Sequence, residues 1–266
     1  MNRWTGQPHG AAAGTPWAVR LRDVTKRYGQ GPRSVLALDR VSTDIPQGTF
    51  TALMGPSGSG KSTFLHMAAG LGRPTSGSVW LGDTELSRLK ETPLTRLRRG
   101  RTGFVSRTSD LVPALTVLQN ITLPLRLQGR RPDGEWLFEV VARAGLTGHL
   151  KRVPSELSAG RRQRVAIARA LMTRPDVVFA DEPTGALDPG TARDILGLLR
   201  EAVTDLHRTV VMATHDPVAA AHADSAVLLA HGRVVSAPAS PAAGGATAPT
   251  AATAATAATD GLRRTA

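Results

Sequence analysis

Apolar and polar positions follow a repeating order along this chain. From Val19 to Leu53 the pattern is strand-like, with turn sequences at Gly29-Gln30-Gly31-Pro32 and Pro46-Gln47-Gly48. Within it, Phe50-Thr51-Ala52-Leu53-Met54 is a short apolar strand that runs into a glycine-rich loop. Ser62 to Leu71 reads as a helix, and Val79-Trp80-Leu81 as another short strand. From Leu111 to about Leu150 leucines recur at helical spacing, broken by prolines, which predicts a small helical sub-domain. Leu157 to Leu171 reads as a serine-capped amphipathic helix, with Pro175 as the stop after Arg161–Met172. Val177-Val178-Phe179-Ala180 and Val210-Val211-Met212-Ala213 are wholly apolar, as parallel strands covered on both faces are. Ala226 to Val235 predicts a hairpin turning at His231-Gly232. Residues 1 to about 17 are rich in Gly, Ala and Pro. From Ala237 the sequence falls into Ala, Thr, Pro and Gly, with no Leu, Ile, Val or Phe before Gly261. Both ends, 1–17 and 237–266, are expected to be disordered, because such compositions cannot bury a core.

Composition narrows this picture. The length of 266 residues fits one large domain, here 18–236, with room for a full core. With no cysteine there are no disulfides, thiol nucleophiles or thiolate metal sites, which fits a reducing compartment. The start lacks a secretory apolar core, and no run of about 20 apolar residues is present, so a membrane role needs a partner. The net charge of +12 admits nucleic acid, anionic lipid or acidic partners. Its densest part is Arg88, Lys90, Arg96, Arg98, Arg99, Arg101 and Arg107, expected to be a solvated face or one near lipid headgroups. Only 4% of residues are aromatic, which leaves few stacking platforms, and no nucleic acid is expected as partner.

Candidate chemistry sits where apolar strands end. Gly55-Pro56-Ser57-Gly58-Ser59-Gly60-Lys61-Ser62 matches the phosphate-loop pattern in full, between a strand and a helix. Its glycines let backbone N–H groups turn around phosphate oxygens, and the helix dipole points the same way. The cradle is assigned to Gly55, Ser57, Gly58, Ser59, Gly60, Lys61, Ser62 and Thr63, with Lys61 reaching the β and γ phosphates and Ser62 on Mg2+. Asp181-Glu182 ends the Val177 strand, where open α/β sheets bind ligands. Asp181 is placed to hold Mg2+, directly or through water, and Glu182 to orient and deprotonate an attacking water. His215 ends the Val210 strand and is placed to hydrogen-bond the γ-phosphate and that water. As plain structure, the loop is a glycine-rich turn, the acids cap a helix before Pro183, and Ser158 caps only its own helix, worth about 1 kcal/mol.

These residues together resemble the ATP-binding subunits of ABC transporters, from about Val19 to Val235. Leu157 to Arg161 stands at the family's Leu-Ser-Gly-Gly-Gln signature, Ala186-Leu187-Asp188 at its dimer-contacting loop, and Tyr28 at the aromatic that stacks on adenine. Arg101–Pro113, the signature and Asp181–Asp188 look most like the branch serving lipoprotein release, macrolide and peptide export, and the cell-division pair. The resemblance implies an α/β P-loop NTPase fold (ABC-type ATPase) with an antiparallel β sub-domain and an inserted helical sub-domain, roughly 108–164. It implies ATP and Mg2+ as cofactors, and a head-to-tail dimer with itself or a homologous ATPase subunit. In that dimer Ser158 and Gly160 cap the γ-phosphate held by the other subunit. It implies ATP hydrolysis that powers integral membrane permease subunits, at the cytoplasmic face of the membrane, for export or extraction of a lipophilic or peptide substrate. The alternatives are a soluble ABC ATPase of DNA repair or translation, whose long insertions are missing here, and a degenerate, nucleotide-sensing regulator.

The sequence departs from the family pattern at three positions, two of them glutamines. Aligning Gly103-Phe104-Val105 and Leu111-Val112-Pro113 puts Arg107 where the family has the glutamine that touches Mg2+ and the water. A cation about 4 Å from a metal ion is repelled by several kcal/mol at an effective dielectric of ~20. Arg107 is therefore expected to swing outward or to contact phosphate, and hydrolysis to be slow or partner-dependent. In the signature, Ala159 replaces Gly and Arg161 replaces Gln. Arg161 opposes the helix dipole unless it faces a phosphate.

Overall fold

In the computed structural model residues 16–237 are described. The expectations for residues 1–15 and 238–266 lie outside the described residues. Strand β1 (Trp17–Tyr28) starts inside the last residue expected to be disordered, with the Arg20 guanidinium 4.0 Å from the Trp17 ring. It pairs antiparallel with β2 (Val35–Pro46) and β4 (Ser76–Leu81), and β5 (Thr84–Glu85) closes this sheet in the order β2-β1-β4-β5.

The second sheet has the order β10-β9-β3-β8-β7-β6. Strands β3 (Phe50–Met54), β6 (Thr102–Val105), β7 (Val177–Asp181), β8 (Thr209–Thr214) and β9 (Ser225–Ala230) run parallel. β10 (Arg233–Ser236) returns antiparallel beside β9 through the expected turn, with His231 at φ 49° and Gly232 at φ 74°.

Covered parallel strands must be apolar on both faces, and successive side chains divide between two cores. Val178, Ala180, Val210 and Met212 face a core built with helices α3 (Val117–Arg126), α4 (Gly134–Arg143), α5 (Ala159–Leu171) and α6 (Pro189–Thr204). Val177, Phe179, Val211 and Ala213 face the other, built with α1 (Lys61–Ala68), α2 (Glu91–Arg101) and the antiparallel sheet. The fully buried Phe179, Phe50 and Phe64 each contribute roughly 1.5–3 kcal/mol by leaving water. A short α7 (Pro217–Ala220) closes the end beside β3 and β8. The expected helical region is thus α3 and α4, joined by turns, and its apolar faces share one core with the sheet.

Several bounds moved. α1 begins at Lys61 and stops at Ala68, before the predicted Leu71, because Gly70 takes a left-handed φ of 69° and turns the chain. α5 begins at Ala159, directly after its cap Ser158, and ends at Leu171 ahead of Pro175. Helices α2 and α6 have no counterpart in the sequence pattern as read above. Among the described residues no helix is long and apolar enough to cross a membrane.

Candidate active site

The parallel strands deliver their C-terminal ends to one edge, where β3, β7, β8 and β6 lead into Gly55, Glu182, His215 and Arg107. Gly55 has φ 151°, and a Cβ there would lie 2.1 Å from the Leu229 carbonyl oxygen, so the loop can leave β3 only as glycine. Ser57, Gly58 and Ser62 are exposed, Ser59 and Lys61 are buried, and Gly60 stands at φ 105° as the residue before α1. Thr63 is half-buried in the first turn. The Lys61 ammonium donates to the carbonyls of Gly55 (2.8 Å) and Pro56 (3.0 Å) and lies 3.9 Å from Glu182 Oε1. The lysine thus sits inside the loop it was expected to serve, its charge held against loop carbonyls.

Glu182 is the anionic centre of this edge. Its backbone is left-handed, φ 47°, which costs a non-glycine residue on the order of 1 kcal/mol and recurs at functional sites. Both carboxylate oxygens meet His215 Nδ1, at 2.9 and 2.8 Å. His215 therefore pairs with the carboxylate in this state, and its ring is exposed on the side away from it. Asp181 Oδ1 is buried without a hydrogen-bond partner. An orphaned carboxylate oxygen at the strand edge that carries the phosphate loop is the kind of donor a hard divalent cation takes, and the exposed Ser62 hydroxyl would supply a second oxygen. Asp181 and Ser62 thus fit Mg2+.

The signature helix is displayed rather than enclosed. Ser158 is exposed, and its hydroxyl accepts from Arg161 N at 3.4 Å, a long cap. Gly160 is buried, and a Cβ there would come within 2.2 Å of Thr191 Cγ2 of the same chain. Own-chain packing against Thr191 thus already favours glycine at 160. Asp188 caps α6, accepting from Gly190 N (3.1 Å) and Thr191 N (3.0 Å), and the Thr191 backbone bond holds its carboxyl below the usual range. Tyr28 ends β1 with an exposed ring, 5.0 Å from Lys26 Nζ.

The basic run is dispersed. Arg98 pairs with Glu91, Arg101 with Asp176 and Arg88 with Glu85, while Arg96 and Arg99 line a groove with Leu127 and Gln128. Two residues that the sequence reading passed over organise the site from behind. Gln163 is buried on α5, accepts from Ser109 Oγ (2.5 Å) and donates to Ser106 O (3.1 Å). Arg169 donates to the carbonyls of Asp110 (2.7 Å) and Ser109 (2.9 Å). A polar residue on the buried side of a predicted helix was the available signal for Gln163.

Comparison with known proteins identifies the family and the fold. The ABC transporter family model matches residues 38–185. The chain belongs to that family. It is 43% identical over 221 residues to the lipoprotein-releasing system ATP-binding protein LolD of Pseudomonas fluorescens, covering 82% of this chain and 97% of LolD. It is 41% identical over 219 residues to the macrolide export ATP-binding/permease protein MacB of Burkholderia pseudomallei, covering 82% of this chain and 33% of MacB. This ABC chain thus spans about a third of the length of the macrolide exporters it matches. Among solved structures, the dimeric post-hydrolysis state of the ATP-binding cassette MJ0796 bound to ADP and Pi superposes with a TM-score of 0.75 at 39% identity, covering 82% of this chain and 96% of that one. The ABC-type P-loop fold expected from the motifs is therefore the fold of this chain, and its relatives include lipoprotein-release and macrolide-export proteins as well as a methionine import ATP-binding protein.

Proposed function

We propose that the chain binds ATP with Mg2+, hydrolyses it to ADP and phosphate, and powers separate integral membrane permease subunits in export or extraction of a lipophilic or peptide substrate. It would act peripherally at the cytoplasmic face of the membrane. The observation that carries the reading is the convergence of Lys61, Glu182 and His215 on one strand edge of an ABC fold. Gly55, Ser57, Gly58, Ser59, Gly60 and Thr63 would cradle phosphates. Tyr28 would carry the adenine. Asp181 and Ser62 would hold the metal, which supplies charge neutralisation on the phosphates when bound. Glu182 would take the proton of the attacking water, and His215 would swing from Glu182 to the γ-phosphate. In a head-to-tail dimer, Ser158 and the N-terminus of α5, with Gly160 in its first turn, would cap the partner's nucleotide, and Asp188 would lie at the dimer contact. Residues 18–236 would form the ATP-binding domain, with the helical part at roughly 108–164.

Phosphate release by the purified chain with its permease tests this. Glu182→Gln should lower turnover by about 100-fold or more, the range of a positioned general base, with ATP affinity kept. Substantial turnover by the wild type that the variant matches would overturn the role of Glu182. A second reading, a nucleotide-dependent regulator with little turnover, is favoured by Arg107 at the metal-side position. A wild-type rate no higher than that of the Glu182→Gln control selects it.

A further inference from the structure

Arg107 lies where the strand edge meets the Asp181–Asp188 loop, and its backbone is fixed on both sides. The Ser106 carbonyl is held by Gln163, and the carbonyls of Ser109 and Asp110 are held by Arg169. Ser109 and Asp110 are both left-handed, at φ 66° and 42°, which turns the chain back immediately after the arginine. Its side chain leans over Gly185: a Cβ on that glycine would lie 3.4 Å from Arg107 Nε and 3.5 Å from Glu182 Oε2. Both distances are ordinary van der Waals contact, so the guanidinium and the Glu182 carboxylate both stand against Gly185.

Yet Arg107 is not that carboxylate's partner. Glu182 already faces His215 and Lys61. Among the described residues Arg107 makes no hydrogen bond and no ion pair within 4.0 Å, although other arginines near it in the sequence, Arg98 and Arg101, are paired. An exposed, always-charged planar fork against Gly185, next to the glutamate that faces Lys61 and with no ion pair of its own, is suited to a phosphate oxygen, which it can bind bidentately. Where a neutral amide would leave the phosphate charge to the metal, a guanidinium takes part of that charge itself.

We propose that Arg107 is a direct contact to the terminal phosphate of the bound nucleotide, and that it makes ATP binding by this chain only weakly dependent on Mg2+. The inference rests on the nucleotide reading above and deepens it, since it separates the metal's place in binding from its place in hydrolysis.

The test is the affinity of the full chain for a fluorescent ATP analogue, with Mg2+ or with EDTA, in the wild type, Arg107→Gln and Arg107→Lys. Removal of the metal should weaken wild-type binding by less than about 3-fold. The same removal should weaken Arg107→Gln by about 10-fold or more, the loss expected for one charge-assisted contact. Arg107→Lys, which keeps the charge without the fork, should fall between them. Circular dichroism of each variant confirms that the fold is intact. Equal weakening of wild type and Arg107→Gln on metal removal overturns the proposal, as does a wild type that binds only with Mg2+. Failure of the folded wild type to bind the analogue in either medium overturns the nucleotide reading and this inference with it. A proposal that fails alone leaves tight binding in Mg2+ untouched, so the two failures are distinct.

Discussion

The strand-end cradle and the signature helix are built in opposite ways. At the cradle every charge but Arg107 is turned inward: Lys61 lies on its own loop's carbonyls, and His215 and Lys61 face Glu182. At the start of α5 the polar groups point outward. Ser158 and Arg161 are exposed, and the only side-chain cap there is 3.4 Å long. A site that closes on itself holds its geometry without a ligand, whereas one left open has groups to offer elsewhere. On the proposed function, the contrast means that the nucleotide would be held in one place and completed from another. Between the two stands Arg107, exposed like the helix cap but lying against Gly185 in the loop that follows Glu182.

The largest expected blow to the closed half is Gly55→Ala. The new Cβ meets a backbone carbonyl at 2.1 Å, which no side-chain rotation relieves. A loss of about 3 kcal/mol, the upper part of the usual overpacking cost, is expected in urea unfolding. Gly58→Ala is the control from the same loop. It has open space around it and only its φ of 77° to strain, so about 1–2 kcal/mol is expected. Equal costs at the two positions would show that the loop is softer than the geometry says.

Next comes the link between the halves. Arg169 and Gln163 both stand on α5 and hold the Ser106–Asp110 turn. Arg169→Met leaves two carbonyls without their charged donor, at about 1.5–3 kcal/mol. Hydrogen exchange at residues 106–110 should accelerate while exchange in β7 and β8 stays unchanged. Faster exchange in those strands as well would mean that the arginine supports the whole core rather than the turn.

These contacts mark the limit of what the sequence could tell. Strands β7 and β8 were legible because both their faces are apolar, and the phosphate loop because its residues bond to one another locally. The pairing of His215 with Glu182 spans 33 positions and follows from β7 lying beside β8, which no local pattern states. Helix α6 had signals that went unread, Asp188 and Pro189 at its start and the buried Ile195, Leu196, Leu199 and Val203 at helical spacing. Helix α2 had almost none, because Leu94 is its one buried residue and arginines occupy much of the rest. Gly160 carried two meanings. The motif offered a partner's phosphate, and the fold adds Thr191 of the same chain.

The open half can be divided by the same kind of substitution. Gly160→Ala puts a methyl within 2.2 Å of Thr191 Cγ2, the end of a side chain rather than backbone, so a smaller cost than at Gly55, about 1–2 kcal/mol, is expected. Thr191→Ser removes that methyl and should recover most of the loss in a double-mutant cycle. Additive costs would place the strain somewhere other than Thr191.

Ser158→Ala should cost the folded chain least and separate the two uses of the helix most cleanly. A cap at 3.4 Å is near the limit of a hydrogen bond, so the stability lost should be near the low end for caps, about 0.5 kcal/mol. If the hydroxyl serves only its own helix, the folded monomer and the dimer lose the same small stability and ATP-dependent dimer formation should be unchanged. If it caps a phosphate held by a second subunit, the dimer loses a charge-assisted bond at each of two sites, and sedimentation with ATP should show a loss of about 100-fold. The closed half does not touch this hydroxyl, so nucleotide affinity of the monomer should be unchanged in either case. A fall in monomer affinity would place Ser158 within reach of its own cradle and end the division between the two halves.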